Sequence, residues 1–292
     1  MLLNIGSQYN LDDPFKAAAR LHQSKYRARV LQVDSQDYGN RLTDVDGFAL
    51  LNYYDELGVR EVKRERYPLY SKKRDADLLR SEHIPFNMFA PLTNRTDLTK
   101  LVLNKAFGLK LSEPFQIKLE CAPSPSEKYL DDMTSFDTYI QARDVNGETV
   151  GVGIEVKYTE RGYRMGKRES VRMHDQESSY WATARQSGLF ISEGSDKLID
   201  DDLRQIWRNH LLGLSMVQNN DIARFVSVTL YPAGNEHFTR ALAKYQTHLE
   251  AKAREDVRGC SFEHYISSLG GSNEIDAWRD YLAERYLFTM PT

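Results

Sequence analysis

The chain predicts an α/β fold, a mixed central sheet flanked by helices, and three observations predict it. Residues 135–140 and 151–160 read as consecutive strands with Asn146-Gly147 between them, a strong hairpin signal. Residues 115–121 alternate apolar and polar just before that hairpin, and residues 225–232 form a β-branched strand stopped by Pro232. Helical stripes stand before, between and after these strands. The resulting order is helix, three strands, helix, strand, which argues a sheet with helices packed on it.

The 292 residues suffice for one large domain or two small ones, and a hydrophobic fraction of 41% with 28% charged residues is that of a globular chain with its own core. No apolar run reaches membrane-span length, so no membrane role is expected. The first residues, Met1-Leu2-Leu3-Asn4-Ile5-Gly6, lack the basic start and long apolar segment of a signal peptide. Cys121 and Cys260 make neither a disulfide framework nor a zinc spacing, and they read as reduced core thiols. The expectation is a cytoplasmic protein.

In order along the chain, Asp13 caps a helix with Pro14 at its first position, running to about Tyr26. Residues 29–33 suggest a short strand, and residues 48–57, apolar and aromatic before Gly58, suggest a helix. No catalytic pattern occurs in residues 1–75, which are expected to form an N-terminal extension on a domain spanning 76–292. Residues 74–82 read as a helix broken at Pro85, with Glu82 and His83 at its polar end. The helix at 96–108 starts at Thr96 or Asp97, ends at Gly108 and carries a Leu98, Leu101, Val102, Ala106 stripe. In the strand after it, Phe115, Ile117, Leu119 and Cys121 face one way and Glu120 the other. Residues 161–201 are polar and glycine-punctuated, too long for a structureless connection, and suggest partial helix or a flap over substrate. A helix follows from about Asp201 to Asn219, with Trp207 and His210 on its core stripe and Gln205, Arg208 and Asn209 on another face. Residues 236–258 read as one amphipathic helix, and a last helix around Ile275, Trp278, Leu282 and Tyr286 closes the domain.

The chemistry concentrates at residues 151–160. On a strand, Val152, Ile154, Val156 and Tyr158 form an apolar row, while Gly151, Gly153, Glu155 and Lys157 face the other way. Glu155 and Lys157 then sit side by side, with two glycines expected to leave room for a substrate. The Glu-x-Lys pattern occurs elsewhere at Glu61-Val62-Lys63 and Glu250-Ala251-Lys252. The first lies in a dense charge run and the second in a helical segment, where i and i+2 do not share a face. Only Glu155-Val156-Lys157 ends a β-branched strand and follows another strand that opens with an acid, Asp137.

This arrangement resembles the PD-(D/E)XK nuclease superfamily. Ser135-Phe136-Asp137 and Ile154-Glu155-Val156-Lys157-Tyr158-Thr159-Glu160 also resemble a bacterial branch of it, known mostly as uncharacterised nuclease-like proteins. The stretches 80–87 and 205–210 resemble the same branch, extending the likeness over most of the chain. Phe136 stands where the superfamily name has proline. The resemblance implies a restriction-endonuclease-like core and hydrolysis of phosphodiester bonds. It implies catalytic Asp137, Glu155 and Lys157, Gln205 positioning the site from the following helix, and Glu82 or His83 as site neighbours. Asp137 and Glu155 are hard oxygen ligands suited to Mg²⁺, for which Mn²⁺ can substitute, and Glu120 is a candidate third ligand.

The net charge of −3 does not mark the chain as a nucleic-acid binder, but the charge is uneven. One basic run covers residues 60–74. The other carries Arg161, Arg164, Lys167 and Arg168 directly after the Glu-x-Lys strand, interleaved with Tyr158 and Tyr163, and with Arg208 it is the candidate phosphate-tracking surface. The expectation is a metal-dependent nuclease acting on DNA. The alternatives are a nucleic-acid-binding or scaffold subunit, and a partner-gated effector nuclease of a bacterial defence or repair complex. Many relatives act as dimers, so a homodimer stays open.

Overall fold

The computed structural model describes residues 4–162 and 165–290. Its helices and strands run α1 (Pro14–Tyr26), α2 (Asp44–Phe48), α3 (Val59–Arg66), α4 (Ile84–Phe89), α5 (Thr96–Phe107), β1 (Leu111–Cys121), β2 (Phe136–Asp144), β3 (Thr149–Val156), α6 (Lys167–His174), α7 (Ser179–Ser187), α8 (Arg204–Gln218), β4 (Arg224–Tyr231), α9 (Glu236–Thr247), β5 (Val257–Ser261), α10 (Phe262–Ser267) and α11 (Asn273–Tyr286). The sheet order is β1-β2-β3-β4-β5. The first three strands are antiparallel, and β3-β4 and β4-β5 are parallel, so the sheet is mixed. Antiparallel neighbours need only a hairpin, and the β2-β3 turn has Gly147 at φ 83. The parallel step from β3 to β4 needs a crossover, which α6, α7 and α8 supply.

Two apolar layers cover the sheet. On one face Val152, Ile154, Val156 and Tyr158 meet Val102, Phe107, Phe262, Trp278 and Tyr286 from α5, α10 and α11. On the other, Phe136, Tyr139 and Phe225 meet Trp181, Trp207 and Tyr245 from α7, α8 and α9. The first layer also takes in Ala19, Leu50, Tyr53 and Val59, so residues before 76 share the core of those after it. Among the described residues no helix is long and apolar enough to cross a membrane.

Four expectations change, each because tertiary packing outweighs local pattern. Residues 29–33 are not a strand. α1 continues into a π-helical turn, Arg27–Leu31, held by the buried Arg27 guanidinium donating to the carbonyls of Gly39 and Asn4 at 2.8 and 2.6 Å. Residues 49–57 are turns after the short α2, and Asn52 and Tyr53 are buried to anchor residues 74 and 75 instead of lying on a helix stripe. Residues 74–82 are not one helix either: a π-helical turn ends at Ala76 and a 3-10 turn covers Ser81–His83, and the fully buried Asp75 carboxylate takes hydrogen bonds from Tyr53 (2.7 Å), Lys63 (3.1 Å) and the Ser71 N–H (2.7 Å). Residues 236–258 are not one helix. α9 stops at Thr247, and β5 adds a fifth strand, parallel to β4. Gly259 permits that pairing, since a Cβ there would lie 2.8 Å from Leu242 and 3.0 Å from Tyr231. The long connection at 161–201 contains α6 and α7, in keeping with the partly helical expectation.

Candidate active site

The site forms where three neighbouring strands end. Thr138 pairs with Ile154, so the next rung sets Asp137 opposite Glu155. Leu119 pairs with Thr138 and Cys121 with Phe136, so Glu120 falls opposite Asp137. Asp137 also accepts the Val156 N–H at 2.7 Å, closing the ladder with its own side chain. Like charges at directly opposed positions are unfavourable, and the carboxyls register this. Burial, then Glu155 and Glu120, hold the Asp137 carboxyl well above the usual carboxylate range. Burial pushes Glu120 up to about 7, with Glu155 and Glu82 adding to the rise and the Tyr67 hydroxyl and Arg66 opposing it. Glu120 has φ +52, a left-handed bend one residue before β1 ends. Arg66 secures that bend by donating to the carbonyls of Leu119 and Glu120 at 3.2 and 2.6 Å.

Glu155 and Lys157 share one face of β3, and Lys157 Nζ lies 2.5 Å from Glu155 Oε1. Burial alone would lower the Lys157 pKa, but the carboxylates of Glu155 and Asp137 outweigh it and raise it. The lysine is therefore a fixed cation. From α8, Gln205 donates to Glu155 Oε1 and Asn209 to Glu155 Oε2, each at 2.6 Å. Positions i and i+4 share a helix face, which aims both amides at one carboxylate. Asn209 was not among the sequence candidates, although its spacing from Gln205 carried the signal.

The glycines act differently from the sequence expectation. A Cβ at Gly153 would lie 2.6 Å from Phe136 and Phe225, and one at Gly151 would lie 2.6 Å from Ile222 and 2.9 Å from the Tyr139 hydroxyl. They admit the second apolar layer, not a substrate. The space between Glu155, Lys157 and α8 is correspondingly small, about 10 Å³.

The remaining candidates scatter. Glu82 accepts from Arg80 at 3.3 Å and bears electrostatically on Glu120. Glu160 holds that segment in place by accepting the N–H groups of Ser81, Tyr158 and Thr159 at 2.9, 3.1 and 3.1 Å, a staple the sequence did not reveal. His83 is fully buried against Tyr53 and Tyr286, and burial followed by the charge of Arg285 lowers its pKa well below the usual value. Arg161 is exposed and pairs with Asp13 at 3.2 Å, and Lys167 and Arg168 are exposed at the start of α6. Arg208 is half-buried, bridging Asp132 and Glu169 at 3.0 Å each, which ties α8 to α6 and to the loop before β2. Arg164 and Tyr163 lie outside the described residues.

Among the described residues no three Asp, Glu, His or Cys side chains stand in a metal-ligating group. The donor chemistry nevertheless fits a hard divalent cation: carboxyls crowd at adjoining strand ends, and positive charge there relieves their mutual repulsion. A family model described as PD-(D/E)XK nuclease superfamily matches residues 10–288. No curated protein and no solved structure gives a significant match.

Proposed function

We infer that this chain, which belongs to the PD-(D/E)XK nuclease superfamily and has its restriction-endonuclease-like core, is a metal-dependent nuclease that hydrolyses phosphodiester bonds in DNA. The observation that carries the reading is the Glu155–Lys157 pair, 2.5 Å apart on the strand beside Asp137. Asp137 and Glu155, with Glu120 as a third carboxyl, would hold Mg²⁺ or Mn²⁺. When bound, such an ion lowers the pKa of water and polarises a phosphate. Lys157, a cation beside Glu155, offsets negative charge gathering on the phosphate. Gln205 and Asn209 fix the Glu155 carboxylate from α8, and Lys157 holds it from the same strand.

A second reading, an effector nuclease gated by a partner, draws on the same carboxylate. Both Glu155 oxygens are engaged by Gln205, Asn209 and Lys157, so a resting site that rearranges before use is consistent with the geometry.

The test presents supercoiled plasmid, linear duplex, single-stranded DNA and RNA to the purified protein, with Mg²⁺, Mn²⁺ or EDTA, beside Glu155→Ala and Lys157→Ala. Metal-dependent cleavage lost in both variants supports the nuclease. Metal binding without cleavage moves the reading to the gated effector. Neither binding nor cleavage leaves a scaffold.

A further inference from the structure

We propose that the groove between α3 and the free edge of β1 holds one or two nucleotides of an unpaired strand, with phosphates on Arg66 and Lys118. This deepens the nuclease reading and rests on it.

β1 is an edge strand, and the space beside it is a groove of about 570 Å³. Glu120 lines it, so the groove opens onto the carboxyl row. Val62, Ile117 and Ala122 give it an apolar wall against which a base can lie. Arg66 spends its Nε and Nη2 on the carbonyls at the β1 bend. A guanidinium has five N–H donors in a rigid fork, so the rest of that fixed, exposed group serves a phosphate. Lys118 is exposed on the same edge. The acids in the lining are Glu65, which is exposed, and Glu120 itself.

Size selects the occupant. The volume falls in the range of small-ligand sites, about 300–1,000 Å³. A double helix, whose major groove alone is about 12 Å wide, does not enter such a slot. Of the run after β3, expected from sequence to track phosphates, Arg161 pairs with Asp13, while Lys167 and Arg168 are exposed at the start of α6 and serve as the competing surface in the test.

The experiment is fluorescence anisotropy of the full chain with labelled single-stranded and blunt duplex oligonucleotides, Ca²⁺ replacing Mg²⁺ to suppress cleavage. Lys118→Glu changes the groove charge and Asn94→Trp narrows its rim. Both positions are exposed, and thermal melting verifies each fold. The triple variant Arg161→Glu, Lys167→Glu, Arg168→Glu is the comparison. Expected are a single-strand preference, a loss of about tenfold in both groove variants, and a salt slope for Lys118→Glu shallower by about 0.7 per lost phosphate contact. Binding that ignores both groove variants, or favours duplex, overturns the groove while the nuclease reading stands. Binding removed by the triple variant alone also overturns it. Absence of binding to any nucleic acid overturns both.

Discussion

Lys157 Nζ lies 2.5 Å from Glu155 Oε1, and both side chains are only about a tenth exposed, at 10% and 12%. Two charges two residues apart on a strand have thus been withdrawn from water together. Such a pair is costly to break from one side, because the survivor stays buried without its counter-ion.

Lys157→Ala is therefore expected to lose cleavage by about 10²–10³-fold and stability by about 3–5 kcal/mol. The double variant Glu155→Gln, Lys157→Met should recover much of that stability and remain inactive. Urea denaturation beside the plasmid assay checks both. A double variant no more stable than Lys157→Ala would mean the pair is not what the buried carboxylate depends on.

Stability should also depend on pH through Glu120. Its folded pKa, about 7, lies above the ordinary 4.5. Between these values the folded chain binds more protons than the unfolded one, so this contribution is present below 4.5 and lost as pH rises through 7. Asp137 acts in the same direction. The buried His83 and His210, with lowered pKa values, act oppositely below 6.5. The comparison with Glu120→Gln isolates the effect. Melting temperatures measured from about pH 5 to pH 8 should show the wild type losing ground to the variant, and added Mg²⁺ should reverse that loss. Parallel curves would remove Glu120 from the row.

Gln205 and Asn209 each give one hydrogen bond to Glu155, on different oxygens. Gln205→Ala and Asn209→Ala should each weaken metal dependence or activity by about 10–100-fold, the scale for groups that orient a ligand. A Mg²⁺ titration of cleavage separates this from a folding defect: the half-saturating concentration should rise, while a structural role alone would move only the melting temperature.

Gly153→Ala should cost about 1–3 kcal/mol, because the added methyl meets Phe136 and Phe225. Gly166→Ala, with nothing within 4 Å of the new Cβ, should be nearly neutral. If Gly153 made room for substrate instead, the change would raise KM and leave the urea midpoint alone.

Period-two alternation and the Asn146-Gly147 turn made β2 and β3 legible, because a strand between two packed layers must sort its side chains by face; in the edge strand β1 the expected face broke down, with Phe115 exposed and Cys121 in the opposite layer from Leu119. The 3.6-residue stripe likewise made α8 legible; in α5 it marked the helix but misplaced part of the buried face, since Leu101 is exposed while Leu103 and Phe107 are buried. That Glu155 and Lys157 share a face followed from alternation; Asp137 was found as the acid opening the preceding strand, in the pattern of the resemblance. The sequence by itself thus determined the fold class, the order of the main elements and which ionisable groups share a strand end. Tertiary structure alone decided the rest. Register set Glu120 and Asp137 on one rung, because pairing depends on both strands at once. The short β5, without alternation, exists because β4 offers it an edge and Gly259 lets Leu242 and Tyr231 approach. The charges around Asp75 became a buried network because Tyr53 and Lys63 converge on it from separate segments. Arg66, which the sequence marked only as part of a basic run, closes the bend beside Glu120. Local pattern fixes what an element hides from water; which hidden groups meet is fixed only when distant segments pack.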